Sequence, residues 1–267
     1  MVYKDFIIET LARASRIAHN YFGKISGLTK GWDNNQVLSK ADIDIGKLII
    51  DRITKYYPKD NIIDEETGVI NNKSSVTWVL DPVDGTSNFV NGLPMYGIMI
   101  GILHEGIPLA GGIALPYFKE TYYAQKNNGA FRNNEIIMVT KERELNKALV
   151  AYGIDSHREN PQFTINECQK LSNIILNIRN IRSSNSCFDG LMVASGKYGA
   201  YLSQSSKIWD NVALQVICEE AGATYTDYYG KKIDYTDPVT KDEKDYSLCI
   251  APHPLHRKLQ KVIHCQK

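Results

Sequence analysis

Val76-Thr77-Trp78-Val79-Leu80-Asp81-Pro82-Val83-Asp84-Gly85-Thr86-Ser87-Asn88-Phe89 is the stretch that decides the fold of this 267-residue chain. Its apolar opening, residues 76–80, reads as a buried strand. Pro82 fixes φ just after it, and Gly85 lets the backbone approach a ligand closely. The tight turn that follows sets Asp81 and Asp84 where both can face one side. Paired carboxylates so placed suit a hard metal ion held against a phosphate. Asp, Pro and Gly also build ordinary surface turns, so support must come from elsewhere in the chain.

Two further acidic stretches supply it. Asn61-Ile62-Ile63-Asp64-Glu65-Glu66-Thr67-Gly68 reads as a short apolar strand running into adjacent acids that repel one another unless a cation sits among them. Ser206-Lys207-Ile208-Trp209-Asp210-Asn211-Val212-Ala213 reads as the start of a helix opened by Asp210, with apolar Ala213, Val216, Ile217 and Ala221 behind it. Each also has a plainer role: the acidic triplet as a solvated strand end, and Asp210 as a helix N-cap.

With Ser39-Lys40-Ala41-Asp42 near the start and Glu220-Ala221-Gly222 behind Asp210, these motifs span nearly the whole chain. In their order and spacing the chain resembles the inositol monophosphatase family of magnesium-dependent, lithium-sensitive phosphomonoesterases. The resemblance implies an α+β fold, a layered α-β-α-β-α sandwich with mixed sheets. One catalytic unit is expected, of two halves (about residues 1–140 and 141–267) with the site between them. It further implies that Glu65, Asp81 and the Val83 carbonyl hold one Mg2+, and that Asp81, Asp84 and Asp210 hold a second. Room is left for a third, weaker ion at Glu65. The implied reaction is in-line attack on phosphorus by a water that Glu65 and the Thr86 hydroxyl orient. Asp42 is hydrogen-bonded to Thr86 in the family pattern; here it has a helix cap as its plainer role. Backbone N–H groups of Gly85 and Thr86, if they open a helix, would meet phosphate oxygens.

The expected reaction is hydrolysis of a small sugar or polyol phosphate of the inositol-1-phosphate type. The segment facing the alcohol departs from the family pattern. Asn185, Ser186 and Cys187 stand where inositol-type enzymes usually have Gly, Ser or Thr, and Ala, and Ser203 stands where they tend to carry an acid. Ser186, Cys187, Ser203 and Lys207 are the candidate substrate contacts. Lys207 would meet a second anionic group, or else be a surface lysine. Fructose 1,6-bisphosphate and histidinol phosphate therefore stay open as substrates. So does a role as a protein-binding transcription-complex factor with secondary catalysis, as in one branch of the family.

Lys+Arg 31 against Asp+Glu 30 leave a net charge of +1, so no strong field draws nucleic acid or an anionic membrane. No apolar run approaches the ~20 residues a bilayer requires, and residues 1–5 lack a signal-peptide layout, which points to the cytoplasm. Cys168, Cys187, Cys218, Cys249 and Cys265 never form C-x-x-C and read as reduced thiols. His253 and His256 read as a solvent-facing pair. A homodimer is expected from the resemblance, with the 96–115 region as a possible contact.

Periodicity predicts helices over 3–22 and from Asp42 or Asp44 to about 57, with 23–35 a loop between them. A hairpin joins 95–103 to 107–116, and a strand follows at 121–125. The second half alternates: strands near 148–152, 178–182, 200–202, 223–225 and 247–251, and helices near 162–177, 188–195, from 210, and from 254. Residues 235–245 read as a loose loop. Such alternation argues for layered α/β architecture.

Overall fold

The computed structural model describes residues 3–24, 28–30 and 33–265. The first half runs α1 (Lys4–Tyr21), β1 (Leu28–Lys30), β2 (Asp33–Leu38), α2 (Lys40–Tyr56), β3 (Asn61–Asp64), β4 (Gly68–Ile70) and β5 (Val76–Asp84). It continues through α3 (Thr86–Val90), β6 (Gly97–His104), β7 (Ile107–Leu115), β8 (Glu120–Gln125), β9 (Ala130–Arg132) and β10 (Glu135–Ile136). The second half runs β11 (Leu149–Gly153), α4 (Pro161–Ile175), β12 (Asn180–Arg182), α5 (Cys187–Ala194) and β13 (Ala200–Ser206). Then come α6 (Ile208–Glu220), β14 (Ala223–Thr226), β15 (Tyr246–Pro252) and α7 (His253–His264).

Thr77 to Asp84 are buried without a break, so β5 must be covered on both faces. It lies inside an eight-stranded sheet of order β10-β9-β8-β7-β6-β5-β3-β4, parallel to β3 and antiparallel to β6. On one face, Ile7 and Leu11 of α1 and Ile45 and Ile49 of α2 pack with Trp78 and Leu80. On the other, Val79 and Met99 pack with Leu191 of α5 and Val212 and Ala213 of α6. The far side of α5 and α6 meets Tyr201, Leu248 and Ile250 of a five-stranded sheet of order β12-β11-β13-β15-β14. Ile174 of α4 and Leu255 and Leu259 of α7 close that sheet's outer face against Val150 and Leu202. The order of layers is thus α, β, α, β, α, as expected.

Helix α6 sits close on the first sheet because Gly111 leaves it room. A Cβ there would lie 2.6 Å from the Ala213 carbonyl oxygen.

The β5 strand continues through Pro82 instead of ending before it. Pairing with β6 shifts register between Asp81 and Asp84, so a β-bulge lies at Pro82 and Val83. A bulge is where a strand accommodates proline, since one ladder position goes unpaired. It also changes parity: Val83 joins Trp78 and Leu80 in the outer cluster, whereas strict alternation would set it with Val79.

Several sequence expectations are corrected. Within 23–35, where residues 25–27 and 31–32 lie outside the described ones, β1 pairs antiparallel with β2. Helix α2 is capped by Ser39, not Asp42 or Asp44; the Ser39 side chain accepts from the Ala41 N–H, and Asp42 is the third helical residue. The 235–245 stretch is anchored, since Tyr235 is buried and its hydroxyl donates to Gln215 Oε1 at 2.8 Å. His256 is buried against Thr226 Oγ1 at 2.8 Å and is no solvent-facing partner of His253. The five cysteines are free thiols.

Candidate active site

Asp81 and Asp84 are an odd number of residues apart and would face opposite sides of a regular strand. The bulge turns both to the α6 side, where Asp210 meets them, and ligand oxygens of the three lie within 4.8 Å of one another. Asp210 is the third residue of α6, not its cap. Its Oδ2 accepts the backbone N–H of Lys207 at 2.6 Å, which fixes the rotamer. Asp42 takes the same position in α2, its Oδ2 accepting the Ser39 N–H at 2.7 Å. Both carboxylates therefore satisfy an orphan N–H of a helix start while aiming their second oxygen elsewhere.

Glu65 follows β3, whose parallel register places Asp64 beside Leu80; the Glu65 N–H donates to the Leu80 carbonyl at 3.2 Å. The acidic triplet divides its labour. Asp64 Oδ2 accepts from the N–H and hydroxyl of Thr67 at 2.9 and 2.8 Å, so it builds the turn. Glu65 is left on the cleft wall with Asp81 and Asp84.

Electrostatics follow from that crowding. Burial first, then Glu65 and its neighbouring aspartates, raise the Asp81 carboxyl well above the usual carboxylate range. Asp210 is raised in the same way by burial and by Asp84. Burial pushes Asp84 up to about 6 although the Cys187 N–H donates to it. Asp81 Oδ1 is buried with no hydrogen-bond partner among the described residues. A converging set of oxygen donors with an orphan buried oxygen fits a divalent cation of the magnesium class, and its donor chemistry disfavours zinc or copper.

Gly85 caps α3 at φ 79, in the left-handed region, and a Cβ there would stand 3.0 Å from Ser186 Cβ. Only glycine suits both constraints. The Thr86 hydroxyl stands 2.8 Å from the Val83 carbonyl and 3.3 Å from Asp42 Oδ1. Asp42 is fully buried, and burial lifts its carboxyl to about 6. Asn88 explains the end of the motif, its Nδ2 donating to the carbonyls of Met95 and Ser184, each at 2.7 Å. Phe89 packs edge-on against Tyr96 in the core.

A cleft of about 440 Å³ holds Glu65, Asp81, Val83, Asp84, Gly85, Thr86 and Asp210 on its walls. Next to it a cavity of about 170 Å³ is lined by Ser186, Cys187 and Ser203 with Asp84 and Asp210. Ser186 caps α5, and burial pushes the Cys187 thiol up, so it packs as a small apolar group. Lys207, read as meeting a second anionic group or as a surface lysine, is turned to a neighbouring loop. Its Nζ pairs with Asp245 at 2.9 Å and donates to the Glu243 carbonyl at 2.7 Å, outside both linings. Asn185, from the segment expected to face the alcohol, and Asp155, not foreseen from the sequence, line both spaces. The signal for Asp155 was its place just past β11, at the carboxyl edge of parallel strands.

The sequence profile of the inositol monophosphatase family matches residues 3–265. The fructose-1,6-bisphosphatase/inositol-1-monophosphatase of Thermotoga maritima is 28% identical over 228 residues, covering 85% of this chain and 86% of its own. The solved IMPase of Thermotoga maritima shares the fold with a TM-score of 0.86 at 25% identity, over 98% of this chain and 97% of its own. A solved IMPase/NADP phosphatase, complexed with Mg2+ and phosphate, superposes with a TM-score of 0.84 at 20% identity, over 98% and 95% of the two chains.

Proposed function

The chain belongs to the inositol monophosphatase family, which makes it a metal-dependent phosphoric monoester hydrolase acting on small phosphorylated substrates, and on that premise we propose a magnesium-dependent phosphatase for a small sugar or polyol monophosphate of the inositol-1-phosphate type. The observation that carries this reading is the bulge at Pro82 and Val83. It gathers Asp81 and Asp84 on one side, within 4.8 Å of an Asp210 oxygen.

Glu65, Asp81, the Val83 carbonyl, Asp84 and Asp210 would hold two magnesium ions, with room for a third at Glu65. When bound, magnesium acidifies a water nucleophile and neutralises charge on the phosphoryl and leaving oxygens. The chain's own part is to orient and to move a proton. The Thr86 hydroxyl has one hydrogen and two acceptors, the Val83 carbonyl and Asp42 Oδ1. With that hydrogen on Asp42, Thr86 Oγ1 offers a lone pair to an incoming water, and Glu65 orients the same water from across the cleft. Gly85 keeps the backbone of the turn clear of side-chain atoms where the phosphate would lie. The halves, about residues 1–140 and 141–267, then work as one catalytic unit with the site between them. The reading extends to lithium sensitivity, a cytoplasmic setting and a homodimer, for which the sequence resemblance is the support.

A phosphate-release assay on purified protein tests it. Turnover of inositol 1-phosphate that appears with Mg2+ and vanishes with a chelator is expected, and Thr86→Val should lower kcat by about 100-fold or more. Phosphate release indifferent to magnesium removes the reading.

A further inference from the structure

The cavity beside the phosphate-side cleft shares Asp84 and Asp210 with it, so an ester whose phosphate lies in the cleft can direct its alcohol part into the cavity. Part of the cavity lining comes from the second sheet, through Gly153 of β11 and Tyr201 and Ser203 of β13. Gly153 pairs with Ser203 in the parallel ladder of these strands. Tyr201 lies two residues before Ser203 and so on the same face of β13, the face that packs on α5 and α6. Gly153 makes the space. A Cβ there would stand 3.1 Å from Tyr201 Oη and 3.3 Å from Ser203 Oγ, so a larger residue would occupy the room on which both hydroxyls open.

The two hydroxyls differ in what they have left to offer. Ser203 Oγ donates to the Ser205 carbonyl at 2.8 Å and accepts the Ser205 N–H at 3.3 Å, so it is spent on its own strand. Tyr201 is 7% exposed, and its Oη has no hydrogen-bond partner among the described residues. Tyr225 and Tyr235, by contrast, donate to Asn211 and Gln215, each at 2.8 Å. Tyr96 and Tyr228 lack partners as well, but neither lines the cavity. A buried hydroxyl left unpaired carries a cost that a ligand oxygen removes. Burial, and after it the Asp189 and Asp84 carboxylates, raise the Tyr201 phenol, so it stays un-ionised and keeps a hydrogen to donate.

Resting on the phosphatase reading above, we propose that Tyr201 is a substrate-binding residue whose hydroxyl hydrogen-bonds a hydroxyl of the alcohol part seated in the cavity, in the room that Gly153 leaves. The site thereby favours sugar or polyol monophosphates over esters of an alcohol with no further hydroxyl. One neutral hydrogen bond of this kind changes preference by about 10-fold.

The test measures kcat/KM with magnesium for inositol 1-phosphate and for phenyl phosphate, whose alcohol part has no further hydroxyl, in the unmodified protein and in Tyr201→Phe, which removes the oxygen alone. The unmodified protein should prefer the inositol ester. Tyr201→Phe should cut that preference by about 10-fold, chiefly through KM, and comparing the two ratios cancels the difference in leaving group. Without substrate the variant should melt no lower than the parent, because no hydrogen bond within the protein is lost. A lower melting temperature would assign the hydroxyl to the fold. A ratio unmoved in Tyr201→Phe, or no preference in the parent, would leave it a lining group only. Each of these overturns the role of Tyr201 while the phosphatase reading stands. Absence of magnesium-dependent release from both esters removes the phosphatase reading, and this one with it.

Discussion

The carboxylate of Asp84, at the end of β5, accepts the backbone N–H of Cys187, the first residue of α5. One residue thereby joins the carboxylate cluster beside the first sheet to the start of helix α5. The position of Asp84 and the seating of α5 are therefore linked, which makes the consequences measurable by stability as well as by activity.

Asp84→Asn and Asp210→Asn keep an oxygen able to accept the N–H of Cys187 or Lys207, so both should fold. Magnesium-dependent turnover should fall at least ~100-fold in each, because a charged ligand is lost from a buried cation site. The chelated variants should melt no lower than the chelated parent, since a buried like charge has been removed. Thermal melts beside the phosphate assay decide it; full activity in both variants is the contrary result.

Stability without metal should depend on pH in a defined direction. Burial lifts the Asp84 carboxyl from 3.8 to about 6, and Asp81 and Asp210 are raised as well. Between these values the folded state holds protons that the unfolded state has released, so stability is lost as pH rises through about 6. On the proposed reading magnesium would bind the ionised cluster and reverse the loss. The gain in Tm from magnesium should therefore grow from pH 5 to pH 7.5, and a gain independent of pH would contradict the assignment.

Gly111→Ala should act on the site from a distance. Its Cβ would meet the Ala213 carbonyl oxygen at 2.6 Å and force α6 away from the first sheet, carrying Asp210 with it. Overpacking of this kind costs about 1–3 kcal/mol. Lower stability should come with a higher magnesium concentration for half-maximal activity. An unchanged magnesium requirement would show that α6 can move without disturbing the cluster.

Glu167 on α4 is 2% exposed, and its Oε2 has no hydrogen-bond partner among the described residues. Burial, with Asp155 adding to it and Lys170 opposing, pushes its carboxyl up to about 7. Its ionisation therefore weakens the fold as pH rises from about 4.5 towards 7. Glu167→Gln should stabilise the protein by about 1–3 kcal/mol at pH 8 and by much less at pH 5. Urea unfolding at the two pH values reads this directly; an equal effect at both would deny the buried charge.

Much of the architecture was legible because it rests on local periodicity. The helical spacing of Leu11, Ala14 and Ala18 and of Ile45, Ile49 and Ile53 forecasts α1 and α2, and the 95–116 hairpin announces β6 and β7. Where the reading failed, two local roles were open to one residue type. Asp42 and Asp210 look like caps, yet each lies three residues beyond the cap and returns one oxygen to its N–H. Lys207 was open to two readings, an anion receptor or a surface lysine, and its ammonium pairs with Asp245 on a loop far along the chain.

The sequence by itself determined the donor inventory, the order of the motifs and the family, because residue type and short spacing are properties of the chain alone. Only the tertiary structure decided that the bulge reverses the facing of Asp84, that Asp210 closes the cluster, and that Asp155 stands at the cavity mouth. The physical reason is that strand parity and convergence across two sheets depend on register and on packing between distant segments, which no local pattern encodes.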